Sequence, residues 1–454
     1  MTHQLSFTPK NVPFVETKFR KIKTQMPNPE TLKVIEECLK YEPISMNDQL
    51  PVVWDKAVGF QVYDKSGNCW IDFTSTIFVA NVGHSNPKVI EAIKEAVDKN
   101  LLNAYYYQTD YRAKLTKMLI ELTPPNLNKV LLLSTGAEAT EAALKTSMNY
   151  GRRIKPTKDI VLGFEGSFHG KTMGAQTLGG KPGGKKWIKH LHPNIHHLEY
   201  PYPWVLEKRK ISGADFFYEN LKKLEKEGMD LTNIAAVMAE PYQGWCAVFF
   251  PNDYMQALRE WCTKNNTLLG FDEVQAGFGR TGKMFGYEYF GVIPDIIWCG
   301  KALSASVPVS AVIANENFFG EDYSLNSTHG GNPIGAAASI AVINYIKSEN
   351  LLSEAVRKGH LIKKALEEWR AECPHYIYEI YGEGMVWAIF VRDPKTNELD
   401  VDLVDRVIER AMEKGLLSIR TQSGTLKLGP PLVTPDEALL EGINILKESL
   451  AELT

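Results

Sequence analysis

Between residues 130 and 314, short apolar runs alternate with stretches of helical periodicity, and nothing else in the 454-residue chain restricts the fold as strongly. Lys129-Val130-Leu131-Leu132-Leu133 reads as a buried strand. Thr135 and Glu138 after it stand at the capping-box spacing that opens an alanine-rich helix. Further strands are predicted at 160–164, 234–239, 268–271 and 296–299, with a helix over 254–264 leading into the strand at Leu268. Strand–helix alternation of this kind predicts an α/β fold, a mostly parallel sheet covered by helices on both faces. Residues 296–314 resemble a membrane span in apolarity. Their single charge (Lys301), a proline (Pro308) and many small residues predict strand, loop, strand in a core instead.

After Pro333 the pattern changes to a smaller α+β unit. Helices are expected over 334–348 and 351–369, and a strand pair within 376–392. A helix over 401–414 stops at Gly415, strands follow at 416–420 and 425–428, and Thr434 with Pro435 opens a last helix. The division expected is an N-terminal segment 1–70 wrapping onto the body, a large domain 71–333 and a small C-terminal domain 334–454. With 44% hydrophobic residues, 23% charged residues and a formal net charge of -3, the chain does not have the composition of a disordered protein. That balance also gives no basic footprint for nucleic acid. Six cysteines without a C-x-x-C pair read as reduced thiols, which favours a cytoplasmic location. Residues 1–20 lack the apolar core of a secretory signal and the Arg/Ser richness of an organellar presequence.

Three charged residues terminate buried strands: Glu240, Asp272 and Lys301. In open α/β sheets ligands bind outside the carboxyl ends of the strands. Charges there, between apolar walls, need partners. An Asp272–Lys301 ion pair is the structural alternative, but three such charges at equivalent positions point to a site. Desolvation favours the neutral amine of a lysine, which can then form a Schiff base. A Schiff-base lysine with an acidic partner for a pyridine nitrogen is what pyridoxal 5'-phosphate (PLP) requires. Gly136-Ala137, at a strand-to-helix turn, can receive its phosphate on backbone N–H groups.

The string Phe271-Asp272-Glu273-Val274-Gln275-Ala276-Gly277-Phe278-Gly279-Arg280-Thr281-Gly282, with Pro294-Asp295-Ile296 and Gly300-Lys301-Ala302-Leu303, resembles the class III aminotransferase signature. Ser134 to Ala139, Phe168-His169-Gly170-Lys171-Thr172, Glu240-Pro241 and Thr328-His329-Gly330-Gly331-Asn332-Pro333 match further motifs of that family, in order. Asp72-Phe73 and Gly83-His84-Ser85-Asn86-Pro87 match its N-terminal part. The resemblance implies a PLP-dependent transferase of fold type I. In it Lys301 forms the internal aldimine and shuttles the proton, and Asp272 pairs with the pyridinium nitrogen. Phe168 stacks on one ring face, Val274 packs on the other, and Gln275 reaches the ring hydroxyl. Gly136 and Ala137 hold the phosphate with Thr328 of a partner subunit, which implies a homodimer. The implied reaction moves an amino group from an amine or amino-acid donor to a carbonyl acceptor through a pyridoxamine intermediate.

The same residues are compatible with a PLP-dependent racemase, epimerase or aminomutase, and a non-catalytic scaffold is a third reading. Lys427, in Leu426-Lys427-Leu428-Gly429-Pro430-Pro431, stands where the family usually has a carboxylate-binding arginine. A Glu240–Lys427 pair and a substitute clamp at Arg420 are both open. Ile77 and Phe78 align with a wall of the substrate pocket, and Tyr105-Tyr106-Tyr107 is expected near its entrance. His84 is expected to be structural, and His190, His192, His196 and His197 to lie in a solvated loop rather than to bind metal. Gly277 to Gly282 matches G-x-G-x-x-G, but no helix pattern follows, so a dinucleotide site is not expected.

Overall fold

The computed structural model describes residues 5–46, 49–421 and 423–454. At its centre is a seven-stranded sheet in the order Lys129–Leu133, Ser310–Ala314, Ile296–Cys299, Leu268–Asp272, Ile234–Ala239, Ile160–Phe164, Ile195–Leu198. The last five pair in parallel, whereas Ser310–Ala314 runs against both its neighbours. The loop between Cys299 and Ser310 is too short to hold a crossover helix, so these strands can only pair antiparallel.

Successive residues of the sheet serve opposite faces. Met238, Leu268, Trp298 and Val312 pack with Ala139, Ala143 and Leu144 of helix Gly136–Ile154. Val237, Leu269, Ile297 and Ile313 pack with Leu258 and Trp261 of helix Asn252–Lys264. Strands covered on both faces must be apolar throughout, and every residue of Ile234–Ala239, Ile296–Cys299 and Ser310–Ala314 is buried. The near-membrane stretch is thus two core strands joined by a loop. No helix among the described residues is long and apolar enough to cross a membrane. Two expectations are corrected here. His196 and His197 lie in the edge strand Ile195–Leu198, and His197 Nε2 is bonded to Leu178 O at 2.9 Å. The last helix is Asp436–Ala451 with Pro435 as its cap; the Thr434 hydroxyl instead donates to Pro431 O.

Helix Pro333–Ser348 starts at Asn332, whose Oδ1 accepts from Gly335 N at 2.8 Å, a cap worth about 1 kcal/mol. It packs on helices Pro87–Asp98 and Asp110–Glu121. A second sheet, in the order Ile377–Glu383, Val386–Val391, Thr425–Leu428, Ile419–Arg420, is antiparallel throughout. Helices Leu351–Glu372 and Val401–Glu413 lie against it. The N-terminal strands Val15–Glu16, Lys21–Ile22, Lys56–Val58, Gln61–Tyr63 and Cys69–Asp72 form a third sheet. It is completed by Leu416–Leu417, parallel to Cys69–Asp72, and Trp70 Nε1 donates to Met412 O at 2.8 Å. The sheet of the N-terminal segment is therefore bonded to the C-terminal part of the chain, backbone to backbone at Ile71 and Phe73.

Candidate active site

Glu240, Asp272 and Lys301 emerge at the carboxyl ends of adjacent strands, around a cavity of about 360 Å³. Its lining brings together Ile77, Gly136, Ala137, Phe168, Glu240, Asp272, Val274, Gln275, Lys301 and Lys427. Thr328 is not among the lining residues of this single chain; it is exposed on a turn. The Tyr105-Tyr106-Tyr107 run does not line the cavity either.

Lys301 opens the short turn Lys301–Leu303 with φ 41, a left-handed conformation that is costly for a residue bearing a Cβ. Burial lowers its pKa, opposed by the charges of Asp272 and Glu240. Asp272 is 5% exposed; its Oδ1 accepts from Val274 N at 3.0 Å and its Oδ2 meets His169 Nδ1 at 2.7 Å. Two of a carboxylate's roughly four lone-pair sites are therefore used, and the others remain for a donor in the cavity. Gly136 is the first residue of its helix, behind a Thr135–Glu138 capping box. A Cβ at Gly136 would stand 2.9 Å from Val274 Cγ1. Phe168 lines the cavity yet leaves 49% of its surface uncovered, unusual for an aromatic side chain at the ends of core strands.

Glu240 accepts from Phe168 N on Oε2 and from Gly244 N on Oε1, each at 3.1 Å, and burial raises its pKa to about 7. Lys427 donates to Gly244 O and to Gln275 Oε1, the latter at 2.8 Å. Burial lowers its pKa to about 7, with Glu240 opposing. Glu240 and Lys427 are thus joined through the backbone N–H and C=O of Gly244, which belong to successive peptide groups, rather than as a contact pair. Arg420 is turned away from the site: Nη2 binds Asp405 Oδ2 at 2.9 Å, with both side chains nearly inaccessible.

Three features of the site escape a sequence reading. His169 anchors Asp272, which only its neighbourhood in the Phe-His-Gly-Lys-Thr string suggests. Arg280, inside the glycine-rich string, is fully buried. It donates to Met385 O at 2.9 Å, Pro430 O at 2.5 Å, Ser75 Oγ at 3.2 Å and Asn81 Oδ1 at 2.5 Å. It therefore ties the loop after Asp272 to the C-terminal part. Residues Ser75–Phe78 form a left-handed turn with φ 46, 51, 60 and 67. Such a conformation costs about 1–2 kcal/mol per residue. The turn is held by Ser75 Oγ donating to Gly429 O at 2.6 Å and by Arg280 stacking 5.1 Å from the Phe78 ring. His84, by contrast, is structural as expected from sequence, its Nε2 lying 2.6 Å from Asp72 Oδ2.

A lysine with its pKa lowered by burial, an anchored carboxylate, an uncovered aromatic ring and a helix N-terminus around one cavity define the site of an aldehyde cofactor of the PLP class. Residues 44–450 match the family described as Aminotransferase class-III. An ornithine aminotransferase of Schizosaccharomyces pombe is 34% identical over 420 residues, covering 89% of this chain and 90% of the relative. An acetylornithine aminotransferase of Caldanaerobacter subterraneus is 31% identical, covering 89% of this chain and 96% of its own. Among solved structures, an ornithine aminotransferase from Toxoplasma gondii superposes with a TM-score of 0.82 at 27% identity, covering 95% of this chain and 96% of its own. A Bacillus anthracis aminotransferase gives a TM-score of 0.85 at 27% identity, over 93% and 99%.

The chain belongs to the class III aminotransferases, with fold type I architecture. It is accordingly a PLP-dependent enzyme that moves an amino group from an amine or amino-acid donor to a carbonyl acceptor, and not an isomerase or an inert scaffold. The residues present fit PLP. The uncovered face of Phe168, the open acceptor sites of Asp272, and a helix start at Gly136 too close to Val274 for a Cβ match a flat, cationic, phosphorylated ring.

Proposed function

We propose that Lys301 is the base that takes and returns the substrate proton, working against an Asp272 fixed by His169. The observation that carries this is the placement of Lys301 in one cavity with the Asp272 and Glu240 carboxylates, desolvated there so that its pKa is lowered. When bound, PLP supplies an aldehyde and an electron-accepting ring. Asp272 would hold a proton on the ring nitrogen, the position from which the ring could draw charge away from the reacting carbon. Phe168 and Val274 would hold the ring between them, and Gln275 would donate to its hydroxyl. The N–H groups of Gly136 and Ala137 would bind the phosphate at the positive end of helix Gly136–Ile154. Ile77, Glu240 and Lys427 form the substrate side.

The active unit proposed is a homodimer in which Thr328 completes the partner's phosphate site. Two observations support it. Thr328 is exposed, and residues 101–107 carry Leu101, Leu102, Tyr105, Tyr106 and Tyr107 on the surface. Arg112 links that apolar stretch to the Thr328 loop by donating to Tyr105 O at 3.5 Å and Gly330 O at 3.3 Å. Apolar patches of this kind mark contact surfaces. The large unit 71–333 carries the cofactor, and 334–454 with segment 1–70 closes over it. Six free cysteines suit the reducing cytoplasm. The donors and acceptors of the relatives, ornithine and acetylornithine among them, are the first substrates to assay. The dimer is tested by co-expressing differently tagged Lys301→Ala and Thr328→Ala chains. A shared site predicts hybrids with one intact site of two and about half of wild-type activity. Hybrids no more active than the Thr328→Ala homodimer would defeat it.

A further inference from the structure

We infer that a second cavity, lined by the rings of Phe249, Phe250, Tyr289, Phe290 and Tyr381 and by Glu383, is a binding site for an alkylated ammonium ion. It measures about 310 Å³ and shares no lining residue with the cofactor cavity. Three separate parts of the chain build it. Phe249 and Phe250 precede helix Asn252–Lys264, Tyr289 and Phe290 end the turn Gly286–Phe290, and Tyr381 and Glu383 belong to strand Ile377–Glu383 of the second sheet. The rings meet at steep angles rather than in a stack. Phe249 and Tyr289 cross at 62° with centroids 5.4 Å apart, and Phe250 and Phe290 cross at 86° and 6.4 Å.

The chemistry of this lining selects a cation. Aromatic rings attract a cation held over their faces, within about 6 Å of the centroid. The chain itself uses one of these rings in that way: Lys283 Nζ stands 5.9 Å from the Tyr289 centroid, and Lys283 is not part of the lining. Glu383 is exposed, and among the described residues no hydrogen bond or ion pair engages its carboxylate. Partial burial nevertheless raises its pKa, with Lys363 and His360 opposing from outside the lining, and Lys363 is itself paired with Glu367 at 4.0 Å. A carboxylate desolvated without a contact partner gains from a cation placed beside it. Alkyl groups on that cation meet the rings as apolar surface, and they leave fewer N–H groups to be satisfied. One loop serves both cavities, since Tyr242, in the lining of the cofactor cavity, pairs with Phe249 in an antiparallel bridge.

Tetramethylammonium is the probe for the test, because it has no N–H and cannot react with the cofactor aldehyde. Holoenzyme is titrated with its chloride in a calorimeter, with sodium chloride holding the ionic strength constant. A parallel titration uses 2,2-dimethylpropan-1-ol, a neutral molecule of similar size. The expected result is one saturable site per chain with a Kd of about 0.1–10 mM, and binding of the neutral probe weaker by about tenfold or more. Glu383→Gln and Tyr381→Leu, each with its circular dichroism spectrum checked, should weaken tetramethylammonium binding by about tenfold. Both should keep the amine half-reaction within about twofold of wild type, since neither residue lines the cofactor cavity. No saturation up to about 100 mM, equal binding of the neutral probe, or an affinity unchanged in either variant would overturn the inference. A change in cofactor absorbance that tracks the binding would place the probe in the cofactor cavity and overturn it likewise.

Discussion

Asp272→Asn exposes the logic of the site most fully. Val274 N–H donates to Oδ1 at 3.0 Å, so the asparagine carbonyl must keep that place and the amide NH2 must occupy the Oδ2 position, 2.7 Å from His169 Nδ1. Two donors then face each other. His169 can relieve this only by moving its proton to Nε2, an atom that is buried and without a hydrogen-bond partner. Burying that unsatisfied N–H costs about 1–3 kcal/mol, a loss visible as a lower midpoint in urea. The ring nitrogen of the cofactor meanwhile loses its anionic partner. A charge-assisted hydrogen bond contributes about 1.5–3 kcal/mol, and the lost stabilisation of the developing charge adds a comparable amount. Together, about 3–6 kcal/mol predicts a rate of amine half-reaction lowered roughly 10²- to 10⁴-fold. Stopped-flow absorbance on cofactor-saturated enzyme measures it. Turnover within threefold of wild type, with cofactor bound, would refute the assignment of Asp272.

Other consequences are simpler. Gly136→Ala sets a Cβ against Val274 Cγ1 at 2.9 Å, so Val274 must shift toward the cofactor; PLP affinity should fall about tenfold, read by absorbance titration. Arg280→Met strands four buried acceptors and should lower stability by about 3–5 kcal/mol in urea, with Lys a partial rescue. Burial raises the Glu240 pKa from its ordinary 4.5 to about 7. The folded state therefore holds a proton that the unfolded chain releases, and Glu240 contributes stability at low pH that is lost as pH rises from 4.5 to about 7. The stability of wild type relative to Glu240→Gln should decline across that window; a constant difference would contradict it.

Much of this architecture was legible because it depends on local pattern. Buried strands such as Ile234–Ala239 must be continuously apolar, and charges that end such strands, Glu240, Asp272 and Lys301, are conspicuous for that reason. What depends on distant partners was not legible. Leu416–Leu417 completes a sheet begun by the first seventy residues, and no turn signal links them. The left-handed run Ser75–Phe78 runs against the preferences of Thr76 and Ile77, and Arg280 and Gly429 impose it from outside. Lys427 could be read as a cation facing the substrate, because sequence shows its charge but not the acceptors that occupy it. Arg420 is the same case, held by Asp405.

Trapping the holoenzyme with borohydride and mapping the peptides tests the central claim directly. A pyridoxyl group on Lys301, one per chain and absent from Lys301→Ala, is the predicted result. Labelling of Lys427 or another lysine, or no label on a cofactor-saturated enzyme, would contradict it.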